Sequence, residues 1–284
     1  MRGGRVINAS LFRAKHQIWL RILFLSFAAP ASDIKSRLYE FSQIEFRHLK
    51  WVAGALVEGT IAYDYHRDPS FSIEGESLFE LLRTALADIK VLHAAYDDSP
   101  LAERMLRDEH YLVETLEGYL SLPSLDLPLS AFNRELVWPD ASLTKDQTDA
   151  LTLFLFEESY KEYELILIYF YQQVRALSHT ESSAYQDLID ESHFHLRSFG
   201  EMMAKMGILA LPRELHPRSY VIEDMEQFFR NGIVEEENAK EECRRLSSTI
   251  TDPALSSFFE FINHQESYHI EIMKHLLEKQ VWKR

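Results

Sequence analysis

The chain has 284 residues, which is long enough for one large domain or two smaller ones. Its nine glycines and nine prolines are about half the usual number and nearly exclude a β-sandwich or barrel, whose turns need both residue types. The 30 basic against 45 acidic residues give a net charge of −15, which argues against nucleic-acid binding because clustered basic side chains hold a phosphate backbone.

Apolar residues recur at spacings of three and four through almost the whole chain, which is the period of an amphipathic helix. The pattern predicts an all-α protein of about eight antiparallel helices. In chain order, the predicted helices cover 9–29, 33–62, 76–97, 100–121, 144–178, 182–206, 220–249 and 253–281. Short breaks that contain Ser, Asp or Thr caps, most with a proline beside them, separate the two helices of each predicted hairpin.

Longer connections separate the hairpins from one another. The middle connection contains Pro123, Pro128 and Pro139 and divides the chain nearly in half. We therefore predict two helical bundles of two hairpins each. The first covers 1–122, a linker covers 123–143, and the second covers 144–284.

The N-terminus allows two interpretations. Basic residues precede an apolar run at 22–29, as in a secretory signal, but Arg21 shortens this run, and an amphipathic first helix is favoured. No apolar run reaches the ~20 residues of a membrane span, so no membrane is predicted. The single cysteine, Cys243, cannot form an intramolecular disulfide, and a cytoplasmic location is predicted.

The last predicted helix places a glutamate and a histidine inside an apolar stripe. Glu266 and His269 stand three residues apart, so both project from one face and can reach one metal ion. Glu45 and His48 repeat this pattern on the second helix. Burying a bare carboxylate costs several kcal/mol, so a bound metal ion is the simplest explanation for the inward pairs.

Neighbouring helices add further candidates. Glu236 lies 15 residues before Thr251 and Glu266 lies 15 after it, so a hairpin at that point brings the two glutamates to the same height. The predicted metal ligands are Glu45, His48, Glu162, Glu191, His195, Glu236, Glu266 and His269. Carboxylate oxygen combined with imidazole nitrogen suits iron or manganese, with zinc as a further option.

This arrangement resembles the ferritin-like superfamily of di-metal carboxylate proteins, in particular its rubrerythrin-like members. In that superfamily one bundle supplies a Glu from each of two helices and a Glu-x-x-His from each of the other two. The resemblance implies two iron ions that react with O2 or peroxide, with a small-molecule substrate and oxidase, oxygenase or peroxidase chemistry. It also implies a separate electron donor, because the chain has no Cys-x-x-Cys domain, and it is compatible with a homodimer.

The chain departs from the pattern at several positions. Position 194 is Phe, so His195 follows Glu191 by four residues, and Leu112 stands where a matching histidine is expected in the first bundle. The site either lies wholly in the second bundle or joins the 45/48 and 266/269 pairs across one bundle, and the first arrangement is favoured. Two other functions stay open, a metal-free helical scaffold and iron storage, and enzymatic activity is not settled by the sequence.

Overall fold

The computed structural model describes residues 7–65, 77–96, 98–129, 143–210 and 212–280. Within these ranges the regular elements are helical, and the one β-bridge joins Ser77 to Pro128. The helices are α1 (Ala9–Ala28), α2 (Ser32–Glu58), α3 (Leu78–His93), α4 (Pro100–Leu120), α5 (Lys145–Gln173), α6 (His179–Lys205), α7 (Pro217–Tyr220), α8 (Met225–Thr249) and α9 (Pro253–Lys279), with a short 3₁₀ helix at Pro123–Leu125. The prediction of an all-α protein is confirmed.

The helix boundaries differ from the predicted ones where local chemistry stops a helix. The second helix ends at Glu58, because Gly59 follows it and Thr60 adopts a positive φ of 54°. The short helix α7 begins at Pro217, a residue favoured in the first turn, and lies at the end of the predicted connection between the sixth and seventh predicted helices. The eighth helix begins after Asp224, whose side chain accepts the N–H of Gln227.

The chain divides into two compact units. The first is bounded by Met1–Val137 and Met203–Leu215, and the second by Trp138–Met202 and His216–Arg284. The start of the predicted linker packs onto the first unit, where the carbonyl of Leu127 accepts the N–H of Leu78 at 3.0 Å. Residues 130–142 of that linker lie outside the described residues.

In the first unit, α1 packs along α2 and α3, and α4 packs along α2 and α3. The apolar run at 22–29 forms the buried C-terminal part of α1 and its cap. Arg21 lies beside this run, and its Nε is 2.8 Å from Asp88 Oδ2 on α3. Among the described residues, no helix has the length and apolarity of a membrane span.

In the second unit, hydrogen bonds link the two helices of each hairpin near its corner. Gln173 Nε2 donates to the carbonyl of Ser182 at 3.0 Å, linking α5 to α6. Ser256 Oγ donates to the carbonyl of Ser247 at 2.6 Å, linking α9 to α8. Since α5 and α8 also pack together, the four long helices α5, α6, α8 and α9 surround one interior.

The corner between α8 and α9 depends on Asp252, whose Oδ1 accepts the N–H of Leu255 at 2.9 Å. We expect Asp252→Ala to lower the free energy of unfolding by about 1 kcal/mol, because the first turn of α9 loses its cap. Asp252→Asn keeps an accepting oxygen and is the matched control. Thermal unfolding followed by circular dichroism measures both, and equal losses in the two variants would contradict a capping role.

Candidate metal centre

Five side chains from four helices meet in the interior of the second unit. All are buried, with exposed fractions of 7% or less. The five are Glu162 on α5, His195 on α6, Glu236 on α8, and Glu266 and His269 on α9. On each helix the inward position lies on the same face as buried apolar residues, such as Ile166 on α5 and Phe199 on α6.

The distances place Glu266 between the two imidazoles. Its Oε1 lies 3.6 Å from His195 Nδ1, and its Oε2 lies 3.0 Å from His269 Nδ1. Glu162 Oε1 is 2.8 Å from His195 Nδ1, and Glu236 Oε1 is 3.3 Å from His269 Nδ1. The Nδ1 atom of each imidazole therefore faces two carboxylates, and Glu266 is common to both. Glu236 and Glu266 both face His269, in agreement with the equal height that the hairpin spacing predicts.

The outer nitrogens of the two imidazoles have reciprocal partners. His269 Nε2 lies 2.9 Å from Glu191 Oε2 on α6, while His195 Nε2 lies 3.2 Å from Gln265 Oε1 on α9. Each histidine is thus held from behind by the residue that stands four positions before the other histidine. Contacts of this kind fix the orientation of a ligating imidazole. The structure places Glu191 on this outer side.

This reciprocity explains the irregular spacing on α6. Ser192 stands three residues before His195, as Glu266 stands three before His269. Its hydroxyl is buried, and no hydrogen-bond partner for it lies among the described residues. Ser192 and Gln265 were not predicted from the sequence, although an alignment of the two helices on their histidines pairs Ser192 with Glu266 and Glu191 with Gln265.

Burial and close charges shift the pKa values of the cluster. Burial, together with the neighbouring Glu236 carboxylate, raises the pKa of Glu266 to about 8. For His195, burial alone would lower the pKa, but Glu162 and Glu266 outweigh it and raise the pKa to about 9. The pKa of His269 is likewise raised well above its ordinary value by the carboxylates around it, against the effect of burial.

The donor set fits a transition metal. Carboxylate oxygen and imidazole nitrogen suit iron, manganese and zinc, and the two imidazoles already present the same nitrogen to the carboxylates. Glu162 Oε2 is buried without a hydrogen-bond partner in the described part of the chain. A cation would neutralise the three carboxylates and satisfy this oxygen. His195, Glu266 and His269 could hold one metal ion, and Glu45, His48 and Glu109 could hold another.

The cluster of Glu45, His48 and Glu109 in the first unit differs from that of the second unit, because it also contains the amine of Lys15 on α1. Lys15 Nζ donates to Glu45, lies 2.5 Å from Glu109 Oε1 and lies 3.3 Å from His48 Nδ1. Although burial alone would lower the pKa of Lys15, the two carboxylates raise it above its ordinary value, so the amine is charged. Tyr96 also donates a hydrogen bond to Glu109.

The first unit keeps half of the reciprocal pattern. His48 Nε2 lies 2.9 Å from Asp108 Oδ2, and Asp108 directly precedes Glu109 as Glu191 directly precedes Ser192. On the other side, Leu112 replaces the second histidine and Ile44 stands where its outer partner would be. The first-unit cluster thus lacks a histidine at the position that corresponds to His195, and its second imidazole is His93 of α3, whose Nε2 lies 2.8 Å from Glu109 Oε2.

The two Glu-x-x-His pairs lie in different units, and each has its own partners. The favoured arrangement, in which the second bundle holds a site by itself, stays a prediction. His16, which neighbours Lys15, packs against the rings of Trp19 and Tyr65 at 5.8 Å and 5.1 Å. The role of the eight candidate ligands in metal binding stays a prediction.

A cavity of 270 Å³ reaches the second-unit cluster from the side where α5 faces α8. Glu162, Glu236 and Glu266 line it, together with apolar residues such as Ile168 and Phe228 and with charged residues such as Lys161. The cavity is also lined by Tyr169, whose buried hydroxyl has no hydrogen-bond partner in the described ranges. Burial and the nearby carboxylates raise the pKa of this phenol, so it stays protonated.

Comparisons with models of known protein families, with curated proteins and with solved structures found no match to this chain.

Proposed function

We propose that the second unit is a di-metal carboxylate centre similar to those of ferritin-like proteins. It binds two iron ions, with manganese or zinc as the alternatives. The observation that carries this proposal is the convergence of three buried carboxylates and two imidazole Nδ1 atoms from four helices, with both imidazoles held from behind. Exposed charged residues, or one histidine hydrogen-bonded in a core, would not bring five buried ionisable side chains together.

The residues have separable roles in the proposal. Glu162 and Glu236 would balance the charge of the metal ions, and Glu266, which lies against both histidines, would be a further carboxylate ligand. Glu191 and Gln265 hold the imidazoles in the orientation that presents Nδ1. Bound iron would supply the electrons for the reduction of O2 or peroxide. The cavity beside the cluster gives such a small molecule, or a small organic substrate, access to it.

Metal analysis of the full chain after expression in iron-supplemented medium tests the proposal. We expect about two transition-metal ions per chain and nearly none in the variant that combines Glu266→Gln with His269→Gln. The matched control combines Glu260→Gln with His264→Gln, since both residues are exposed on the same helix. A wild-type chain without transition metal would contradict the proposal and leave the metal-free helical scaffold as the interpretation.

The placement of Glu191 gives a second prediction. We expect Glu191→Ala to weaken metal binding about 10- to 100-fold, because His269 loses the partner that orients it. Glu191→Gln keeps an oxygen that can accept from His269 Nε2, so its loss should be much smaller. Competition with a metal chelator measures both. Equal losses in the two variants would mean that Glu191 binds the metal directly, as the sequence analysis predicted.

A further inference from the structure

The buried cluster of the first unit already contains a cation. Lys15 Nζ contacts Glu45 Oε2, Glu109 Oε1 and His48 Nδ1. These three atoms lie close together, with His48 Nδ1 at 3.8 Å from the Glu45 oxygen and at 3.5 Å from the Glu109 oxygen. They are the atoms that a metal ion, with bonds of about 2.0–2.2 Å to such donors, would use.

The ammonium and a metal ion cannot occupy this place together. The Lys15 side chain is fully buried, and its Nζ has carboxylate partners on both α2 and α4. A divalent ion bound to the same atoms would have to displace the ammonium into an apolar interior, where an unpaired charge is strongly unfavourable. The ammonium also balances part of the negative charge of Glu45 and Glu109, which would otherwise favour a metal ion.

We infer that Lys15 is the resident cation of the first unit and closes a latent metal site made by Glu45, His48 and Glu109. The native first unit therefore binds no transition metal, and removing the Lys15 amine opens the site. In the second unit the matching place has no such amine among the described residues, and Lys161 on α5 pairs instead with Glu158 at 2.7 Å. The inference concerns other residues than the proposed function and does not depend on it.

The test uses Co²⁺ as the probe, since its absorption spectrum reports imidazole and carboxylate ligands. The parent is the full chain with Glu266→Gln and His269→Gln, so that the first unit is measured by itself. We expect the parent to show no Co²⁺ binding and the parent with Lys15→Met to bind one ion. The affinity of that variant should exceed any residual affinity of the parent at least tenfold. Adding Glu45→Gln and His48→Gln to that variant should abolish the gain.

Lys35→Met is the matched control, because Lys35 lies in the same unit and its Nζ bonds to the carbonyl of Phe27, away from the cluster. It should leave Co²⁺ binding at the parent level. Zn²⁺ should raise the melting temperature of the Lys15→Met variant and leave that of the parent unchanged.

Two results would overturn the inference. The first is Co²⁺ binding by the parent that Glu45→Gln and His48→Gln remove, because Lys15 would then not exclude metal. This measurement needs no change at Lys15 and stays decisive if Lys15→Met does not fold. The second is a helical, cooperatively melting Lys15→Met or Lys15→Gln variant that binds no more Co²⁺ than the parent. Failure of the proposed function would instead appear as a wild-type chain that binds no metal.

Discussion

Removal of metal with a chelator is expected to lower the melting temperature of the second unit by about 10 °C. A ligand present at about 1,000 times its dissociation constant adds about 4 kcal/mol to the free energy of unfolding. For a unit of this size each kcal/mol corresponds to about 2–4 °C. The effect is large because the metal ions would hold together five buried side chains from four helices.

Differential scanning calorimetry of the metal-loaded and chelated protein measures this shift. The variant with Glu266→Gln and His269→Gln should melt at the same temperature with and without chelator. The exposed pair Glu260→Gln and His264→Gln should respond as the wild type does. If the wild type and the Glu266→Gln, His269→Gln variant have the same melting temperature with and without chelator, bound metal contributes nothing to stability. A metal-free scaffold is then the better interpretation.

In the metal-free protein, the stability of the second unit is expected to fall by several degrees in melting temperature as pH rises from about 6 to about 9. Burial and the Glu236 carboxylate raise the folded-state pKa of Glu266 from 4.5 to about 8. Burial lowers the folded-state pKa of His195, but Glu162 and Glu266 outweigh it and raise this pKa from 6.5 to about 9. The folded state therefore keeps both protons over a pH range in which the unfolded chain has released them.

The difference in bound protons between the folded and unfolded states determines whether stability rises or falls with pH. Where the folded state binds more protons than the unfolded state, raising the pH lowers the free energy of unfolding. The His195 contribution is complete below pH 6.5 and is lost as pH rises through about 9. The Glu266 contribution is complete below pH 4.5 and is lost as pH rises through about 8. Both therefore act in the same direction between pH 6.5 and 8.

Calorimetry of the chelated protein at several pH values measures the slope. Glu266→Gln carries no titrating proton at that position, so its slope should be shallower than that of the wild type. Metal should reverse the trend, because it competes with the same protons and binds more tightly as they leave. A chelated wild-type protein whose stability is constant or rises over this range would contradict the assigned protonation states.

The helices could be predicted because their ends have local chemical signals. The α8–α9 corner shows this, since Asp252 caps α9 and Pro253 occupies its first turn. That corner also fixes the height at which Glu236 and Glu266 meet. The separate helix α7 could not be predicted from hydrophobic period, because four residues do not complete enough turns to show one.

The content of the first-unit cluster was harder to predict. Lysine is among the residues least often buried, so the position of Lys15 within the apolar stripe of Leu11, Ile18 and Ile22 was not interpreted as inward. Only the packing of α1 against α2 brings its amine between carboxylates that are distant in sequence. In the same way, the contact of Glu191 with the outer nitrogen of His269 depends on the register between α6 and α9. The hydrophobic pattern of one helix does not give the register between two helices.

In the proposed function, the second unit holds metal where Glu162, His195, Glu236, Glu266 and His269 converge. Anomalous diffraction at the iron absorption edge, from crystals of the full chain grown after iron-supplemented expression, tests it most directly. We expect two strong peaks within bonding distance of these side chains and no peak beside Lys15. An anomalous map without a peak among these five residues, from ordered crystals of iron-exposed protein, would contradict it.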